Sequence, residues 1–202
     1  MEPSAILKLL ESVGAIRQGH FVLSSGLHSG SYVQCAAILQ YPLHAERLGQ
    51  SLASEFGGLD IGCVASPALG GVILGHEVAR ALSGKRPGKL VRAIFAERDA
   101  SGVLTLRRGF GVESDEHVLV VEDVWTTGGS TLETMRVIEE AGGRVIGVGA
   151  IIDRSGGGIE FEVPSRALLD LKIDSYDPDE CPFCRAGGEA TRPGSRFERA
   201  AS

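Results

Sequence analysis

Apolar positions along the chain fall into two rhythms, one helical and one extended. Ile6, Leu9, Leu10 and Val13 recur at helical spacing between Ser4 and Gly14, which predicts an amphipathic helix capped by Ser4 and ended by Gly14. Two short strand-like stretches follow, Phe21–Leu23 and Tyr32–Cys35, joined by a polar turn over 24–31. From residue 42 the rhythms alternate. Pro42–Phe56 reads as a helix with Leu43, Leu48, Leu52 and Phe56 inward, Ile61–Ala65 as a strand, Leu69–Leu82 as a helix and Leu90–Ala96 as a strand. Glu97–Gly111 interrupts this order as an exposed hairpin or mobile loop. Then come a strand at His117–Val121, a helix at Ser130–Ala141, a strand at Val145–Ile152 and a last strand at Leu168–Ile173.

Strands alternating with helices predict an α/β fold, a central and mainly parallel sheet with helices on both faces. The unbroken apolar run Val118–Val121 suits a strand buried on both faces. In such sheets ligands sit beyond the carboxyl ends of the strands. The chain reads as one compact domain in three parts: a hood over 1–41, a core over 42–175 and a tail over 176–202. Gly187–Ser202 is polar and Gly-rich and is expected to be loosely ordered.

The composition fits an ordinary globular protein, with 202 residues, 43% apolar and 23% charged. A net charge of −6 gives no broad positive field for nucleic acid or an anionic membrane. With no apolar stretch of spanning length and no leader pattern, a cytoplasmic location is expected. Cys181-Pro182-Phe183-Cys184 has metal-ligand spacing, but a structural zinc site needs four ligands. Cys35 and Cys63 are far away in sequence, so a bare thiol pair is expected, with zinc shared between subunits as the alternative. His20 and His28 read as structural or surface residues.

The chemistry concentrates in Val118–Thr131: apolar strand, the acids Glu122 and Asp123, then Val124, Trp125, Thr126, Thr127, Gly128, Gly129, Ser130 and Thr131. The turn 126–130 can offer several backbone N–H groups to a phosphate, its glycines permit close approach, and the next helix points its positive end at the same place. The acids would repel that phosphate. They make sense against sugar hydroxyls, or against a hydrated Mg²⁺ lying before a second phosphate group. Trp125 fits either ring stacking or packing. The segment lacks the Gly-Lys-Ser/Thr ending of a Walker loop and the Gly-x-Gly-x-x-Gly dinucleotide pattern.

This stretch resembles the phosphoribosyl diphosphate motif of type I phosphoribosyltransferases, and from about Ser4 to Ile173 the chain is similar to the orotate phosphoribosyltransferase family. The supporting segments are Gly19–Ser29, Ser66-Pro67-Ala68-Leu69-Gly70-Gly71, Phe95-Ala96-Glu97-Arg98, Leu106–Phe110 and Asp153-Arg154. The resemblance implies the type I fold with an N-terminal hood, and transfer of a phosphoribosyl group to orotate for pyrimidine synthesis. It implies Mg²⁺ carried mainly by the substrate diphosphate rather than by protein ligands, and a homodimer.

By the same resemblance, Glu122 and Asp123 hold the ribose, and Val124–Ser130 with Leu69 and Gly70 hold phosphate and diphosphate. Arg98 and Arg107 serve the leaving group, with Glu122, Asp123 and Arg98 as the catalytic set. Arg154, Thr126, Tyr32 and Ser24 contact orotate. Many family members have Lys where this chain has Ser24 and Gly70, and here Arg98, Arg107 and Arg108 are the cations of the 97–111 segment. A purine-type phosphoribosyltransferase and a non-catalytic sensor of phosphoribosyl diphosphate are the competing readings. Arg154 and the N-terminal turn weigh against the first. The absence of a basic surface or appended helix-turn-helix weighs against the second.

Overall fold

A computed structural model describes residues 1–23, 25–84, 88 and 90–193. Its centre is a six-stranded sheet. The strands are β3 (Cys63–Pro67), β4 (Arg92–Arg98), β5 (Leu104–Leu106), β6 (His117–Trp125), β7 (Arg144–Asp153) and β8 (Ser165–Asp170), ordered β5-β4-β3-β6-β7-β8. All neighbours are parallel except the β4–β5 hairpin, which forms from the Glu97–Gly111 segment. The expected α/β fold is what is found.

β6 is central, and its side chains alternate between two apolar layers. Leu119 and Val121 join α3 (Pro42–Glu55) and α4 (Gly70–Gly84) on one face, while Val118 and Val120 meet Met135 and Ile138 of α5 (Gly129–Glu140) on the other. Burial on both faces explains why the strand reads as continuously apolar.

A second sheet makes the hood, with β1 (Ile16–Val22), β2 (His28–Val33) and β9 (Ser175–Tyr176) in the order β1-β2-β9. Both expected N-terminal strands are longer toward their polar ends, because antiparallel pairing from Ile16↔Val33 to Val22↔His28 supplies ladder bonds that hydrophobicity does not advertise. Cys35 leaves the strand and precedes the short α2 (Ala36–Leu39). After β9, a turn at α6 (Pro182–Arg185) folds the chain back, and Thr191 pairs with Phe21. Residues 187–193 are therefore tied to the hood. The rest of the expected loose tail, 194–202, lies outside the described residues.

Two local expectations fail. Leu43 is 70% exposed. The buried stripe of α3 runs Ala45, Leu48, Leu52, and at about 100° per residue Leu43 sits well off it. Ser4 caps nothing: α1 (Pro3–Ser12) starts one residue earlier at Pro3, whose fixed φ and missing N–H suit a first helical position. No helix among the described residues is long and apolar enough to cross a membrane.

Candidate active site

β6 carries the acid pair on the strand itself, at the carboxyl edge of the sheet. The two acids serve different neighbours. Glu122 accepts a hydrogen bond from the Thr131 hydroxyl of α5, and Thr131 in turn accepts one from the indole N–H of Trp125 at 3.0 Å. Trp125 is buried beside Phe161, with ring centroids 4.9 Å apart. It is thus a packing group that fixes Thr131 and through it Glu122. Asp123 points the other way, toward the start of α4. A Cβ on Gly70 would lie 2.7 Å from its Oδ1, so the bare glycine is what admits the carboxylate.

Beyond Trp125 the chain turns through Thr126 and Thr127, both exposed, to Gly128. Gly128 has φ of 71°, the left-handed region, and its carbonyl accepts the Leu132 N–H at 2.9 Å. α5 therefore begins at Gly129 with its first N–H groups facing the open edge, where helix dipole and unpaired donors attract an anion. The Thr127 hydroxyl accepts one of them, from Gly129 at 3.4 Å.

The acids sit in a costly place. Burial pushes Glu122 up to about 7, the nearby Asp123 charge adds to this, and the Thr131 bond opposes it. Burial also raises Asp123, against the Val124 N–H that it accepts at 3.1 Å. Among the described residues neither acid has an ion-pair partner. Across the entrance lies the β3–α4 loop, where the Ala68–Leu69 peptide is cis and Leu69 is 86% exposed. The buried Ser66 hydroxyl beneath it has no partner among the described residues.

Trp125 pairs with Asp153, so Thr126 and Arg154 leave adjacent strands side by side. The Arg154 backbone N–H donates to the Trp125 carbonyl at 2.8 Å. Its guanidinium is half-buried, its Nε has no partner among the described residues, and burial lowers its pKa while the Cys35 thiol and Tyr32 phenol oppose the shift. Tyr32 stands on β2, its ring against Phe21 and its hydroxyl accepting the Gln34 amide at 3.3 Å. Ser24 lies outside the described residues.

The hairpin cations are already engaged. Arg98 pairs with Glu133 of α5 at 2.8 Å and donates to the Gly102 carbonyl at 2.7 Å. Arg107 and Arg108 both turn to Glu97, at 3.7 and 2.9 Å. Arg98 thus reaches the helix that opens the cradle, and the other two stay on the hairpin.

One grouping escaped the sequence reading. The Cys181–Cys184 pair is not isolated: it faces His20 and His28, and the four ligand atoms lie within 4.8 Å of one another. The advance signal was the metal-ligand spacing of Cys181 and Cys184; the fold of the β1–β2 hairpin, not its sequence, brings the rings of His20 and His28 together. A recess of about 570 Å³ opens beside them, lined by Gln18, Gly30, Lys172, Tyr176 and Phe183 among others. It is on the hood and not at the acid pair.

Residues 37–166 match the family model for the phosphoribosyl transferase domain. Orotate phosphoribosyltransferase of Thermoanaerobacter sp. (strain X514) is 46% identical over 196 residues, covering 97% of this chain and 99% of that one. Its counterpart in Thermotoga maritima is 48% identical over 191 residues, 95% and 98% of the two chains. Among solved structures, Mycobacterium tuberculosis orotate phosphoribosyltransferase in complex with 5-phospho-α-D-ribosyl 1-diphosphate superposes with a TM-score of 0.64. It is 26% identical and covers 82% of this chain and 96% of that one.

Proposed function

The chain belongs to the phosphoribosyltransferase family, and on that premise we propose that it is an orotate phosphoribosyltransferase. It joins N1 of orotate to the anomeric carbon of phosphoribosyl diphosphate and releases diphosphate, giving orotidine 5′-phosphate for pyrimidine synthesis. The observation that carries the reading is the junction of β6 and α5. Two largely desolvated acids, without cationic partners among the described residues, stand directly before a turn of backbone N–H groups at a helix start.

The turn 126–130 with the α5 N-terminus grips the 5′-phosphate. Glu122 and Asp123 accept the ribose hydroxyls, and their charge favours the positive sugar of an oxocarbenium-like transition state. The β3–α4 loop, with Leu69 and Gly70, receives the diphosphate. Arg98 and Arg107, released from Glu133 and Glu97 as the hairpin closes, meet the departing diphosphate and exclude water. Arg154 has a buried Nε with no partner among the described residues and suits a carboxylate, which orotate carries and purine bases lack. Thr126 and Tyr32 flank the same place, and Ser24 completes the set on sequence grounds. No side chain need act as a nucleophile.

The site suits Mg²⁺: Asp123 is half-buried, raised in pKa by desolvation and without an ion-pair partner among the described residues, a carboxylate that a hydrated cation would stabilise. When bound with the substrate diphosphate, Mg²⁺ supplies charge neutralisation on the leaving group. A homodimer, with each hairpin serving the neighbouring site, accords with the exposure of the hairpin tip.

The test is consumption of orotate, followed by absorbance, on mixing protein, Mg²⁺, phosphoribosyl diphosphate and orotate with adenine or hypoxanthine as competitors. Orotate should be consumed and the purines ignored. Preferential use of a purine would replace this reading with the purine-type one. Two inactive variants, one in the hairpin and one at Asp123, should regain activity when mixed if sites are shared.

A further inference from the structure

The hood carries a second constellation that phosphoribosyl transfer does not use. His20 comes from β1, His28 from β2, and Cys181 and Cys184 from the turn at α6. Cys184 Sγ lies 3.3 Å from His28 Nδ1 and 3.7 Å from His20 Nε2, Cys181 Sγ lies 3.4 Å from His20 Nε2, and the two ring nitrogens are 2.8 Å apart. A tetrahedral zinc with bonds of about 2.0 Å to nitrogen and 2.3 Å to sulfur sets its ligand atoms roughly 3.3–3.8 Å from one another. These four separations lie within about half an ångström of that range, and all four ligand atoms lie within 4.8 Å of one another.

The surroundings are also those of a metal site. His20 Nδ1 sits 3.0 Å from the Gly188 carbonyl, which can only accept, so the ring proton is on Nδ1 and the Nε2 lone pair faces the cluster. A backbone carbonyl that fixes the tautomer of a ligating histidine is one of the usual outer partners of such ligands. The helical turn Pro182–Arg185 brings both thiols to one side, with Cys181 fully buried and the Phe183 ring 5.5 Å from that of His20. The geometry points to a structural zinc site formed by His20, His28, Cys181 and Cys184, which fastens the C-terminal segment to the hood. Two thiolates and two imidazoles in this arrangement select zinc over the hard cations, and four protein ligands leave no open position for catalysis.

The site has a mechanical use. Few apolar side chains hold 174–193 in place: its anchors are the two-residue β9, the Phe21–Thr191 pairing and a hydrogen bond from Ser29 to the Asp174 carbonyl. A metal that spans β1, β2 and α6 replaces the missing core, as in small domains that fold on binding zinc. It thereby steadies β2, the strand that carries Tyr32.

The full chain, purified in reducing buffer without added chelator, should contain about one zinc per chain. Stripping it with a strong chelator should lower the melting temperature by about 5–10 °C, and Zn²⁺ alone, not Mg²⁺, should restore it. Co²⁺ added to the stripped protein should give the visible bands of a tetrahedral thiolate–imidazole site. Cys184→Ser, which changes the more exposed thiol, should weaken zinc binding by about 100-fold. The proposal fails if reduced wild-type protein takes up no stoichiometric zinc, or if stripping leaves the melt unchanged. It fails equally if both thiols react at full rate with a thiol reagent in the presence of zinc. These readouts do not involve turnover, so they stand or fall apart from the orotate assignment.

Discussion

The β6–α5 junction and the hood cluster are built by opposite means. The junction comes from one contiguous stretch, Glu122–Thr131, held by a strand buried on both faces. The hood cluster assembles groups 161 residues apart, His20 and Cys181, on a small sheet with little core beneath it. In the first, a deep hydrophobic frame forces carboxylates into a place that disfavours their charge, so stability is given up to the ligand. In the second, polar groups supply the stability themselves. The comparison teaches that substitutions at the junction should change rate or affinity and spare the fold, while those at the cluster should do the reverse.

The sharpest test is Asp123→Asn. Turnover should fall by about 100-fold or more, because a charge facing the transition state is lost. The melting temperature should hold or rise, since a buried charge disappears. A destabilised protein with normal turnover would break the division. Next is the pH dependence of stability. Glu122 has a folded pKa of about 7 against an ordinary 4.5, so the folded state holds an extra proton between those values. Its full contribution is therefore present below the ordinary value and is lost as pH rises through about 7, a change of about 3 kcal/mol. Asp123, also raised, acts with the same sign. Melting curves at pH 5.5 and 8 should show the wild type losing stability at the higher pH, and Glu122→Gln should flatten much of that slope.

A smaller effect is expected from Arg154→Ala. Losing a charge-assisted bond to the base carboxylate should raise KM for orotate by roughly 10–100-fold, with KM for phosphoribosyl diphosphate changed little. Equal losses for both substrates would remove its base-selecting role. The mildest test lies in the hood. A Cβ at Gly30 would come 2.6 Å from the Phe183 ring, so Gly30→Ala should cost about 1–3 kcal/mol of stability and loosen the C-terminal segment to proteolysis. Unchanged melting would mean that Phe183 moves freely, and that the segment is held by less than the cluster implies.

The legibility of the sequence follows the same line. The core strands and helices were readable because their signals are local: α4, α5 and β7 fall within two residues of their expected ends. The acid pair and its turn were readable because chemistry and scaffold share one segment. What stayed hidden depends on pairing between distant segments. The polar halves of β1 and β2 exist through the hairpin ladder, and β9 through β2. Leu43 faces water because it lies off the helical stripe of α3, and tertiary packing decided that Trp125 braces Thr131 rather than stacking on a ligand. His20 and His28 read only as structural or surface residues because nothing near them in sequence names Cys181 and Cys184.

The order β1-β2-β9 also sets a timetable for synthesis. β2 lies in the middle of its sheet, yet one of its two neighbours is made long after the other. At a ribosomal rate of about 5–20 residues per second, His20 waits roughly 10–30 seconds for Cys181, 161 residues downstream. Through that interval the nascent hairpin shows an open edge, the kind of surface on which unfinished chains pair with one another. The segment that closes it, β9 and the turn after it, emerges only once every strand of the central sheet has been made.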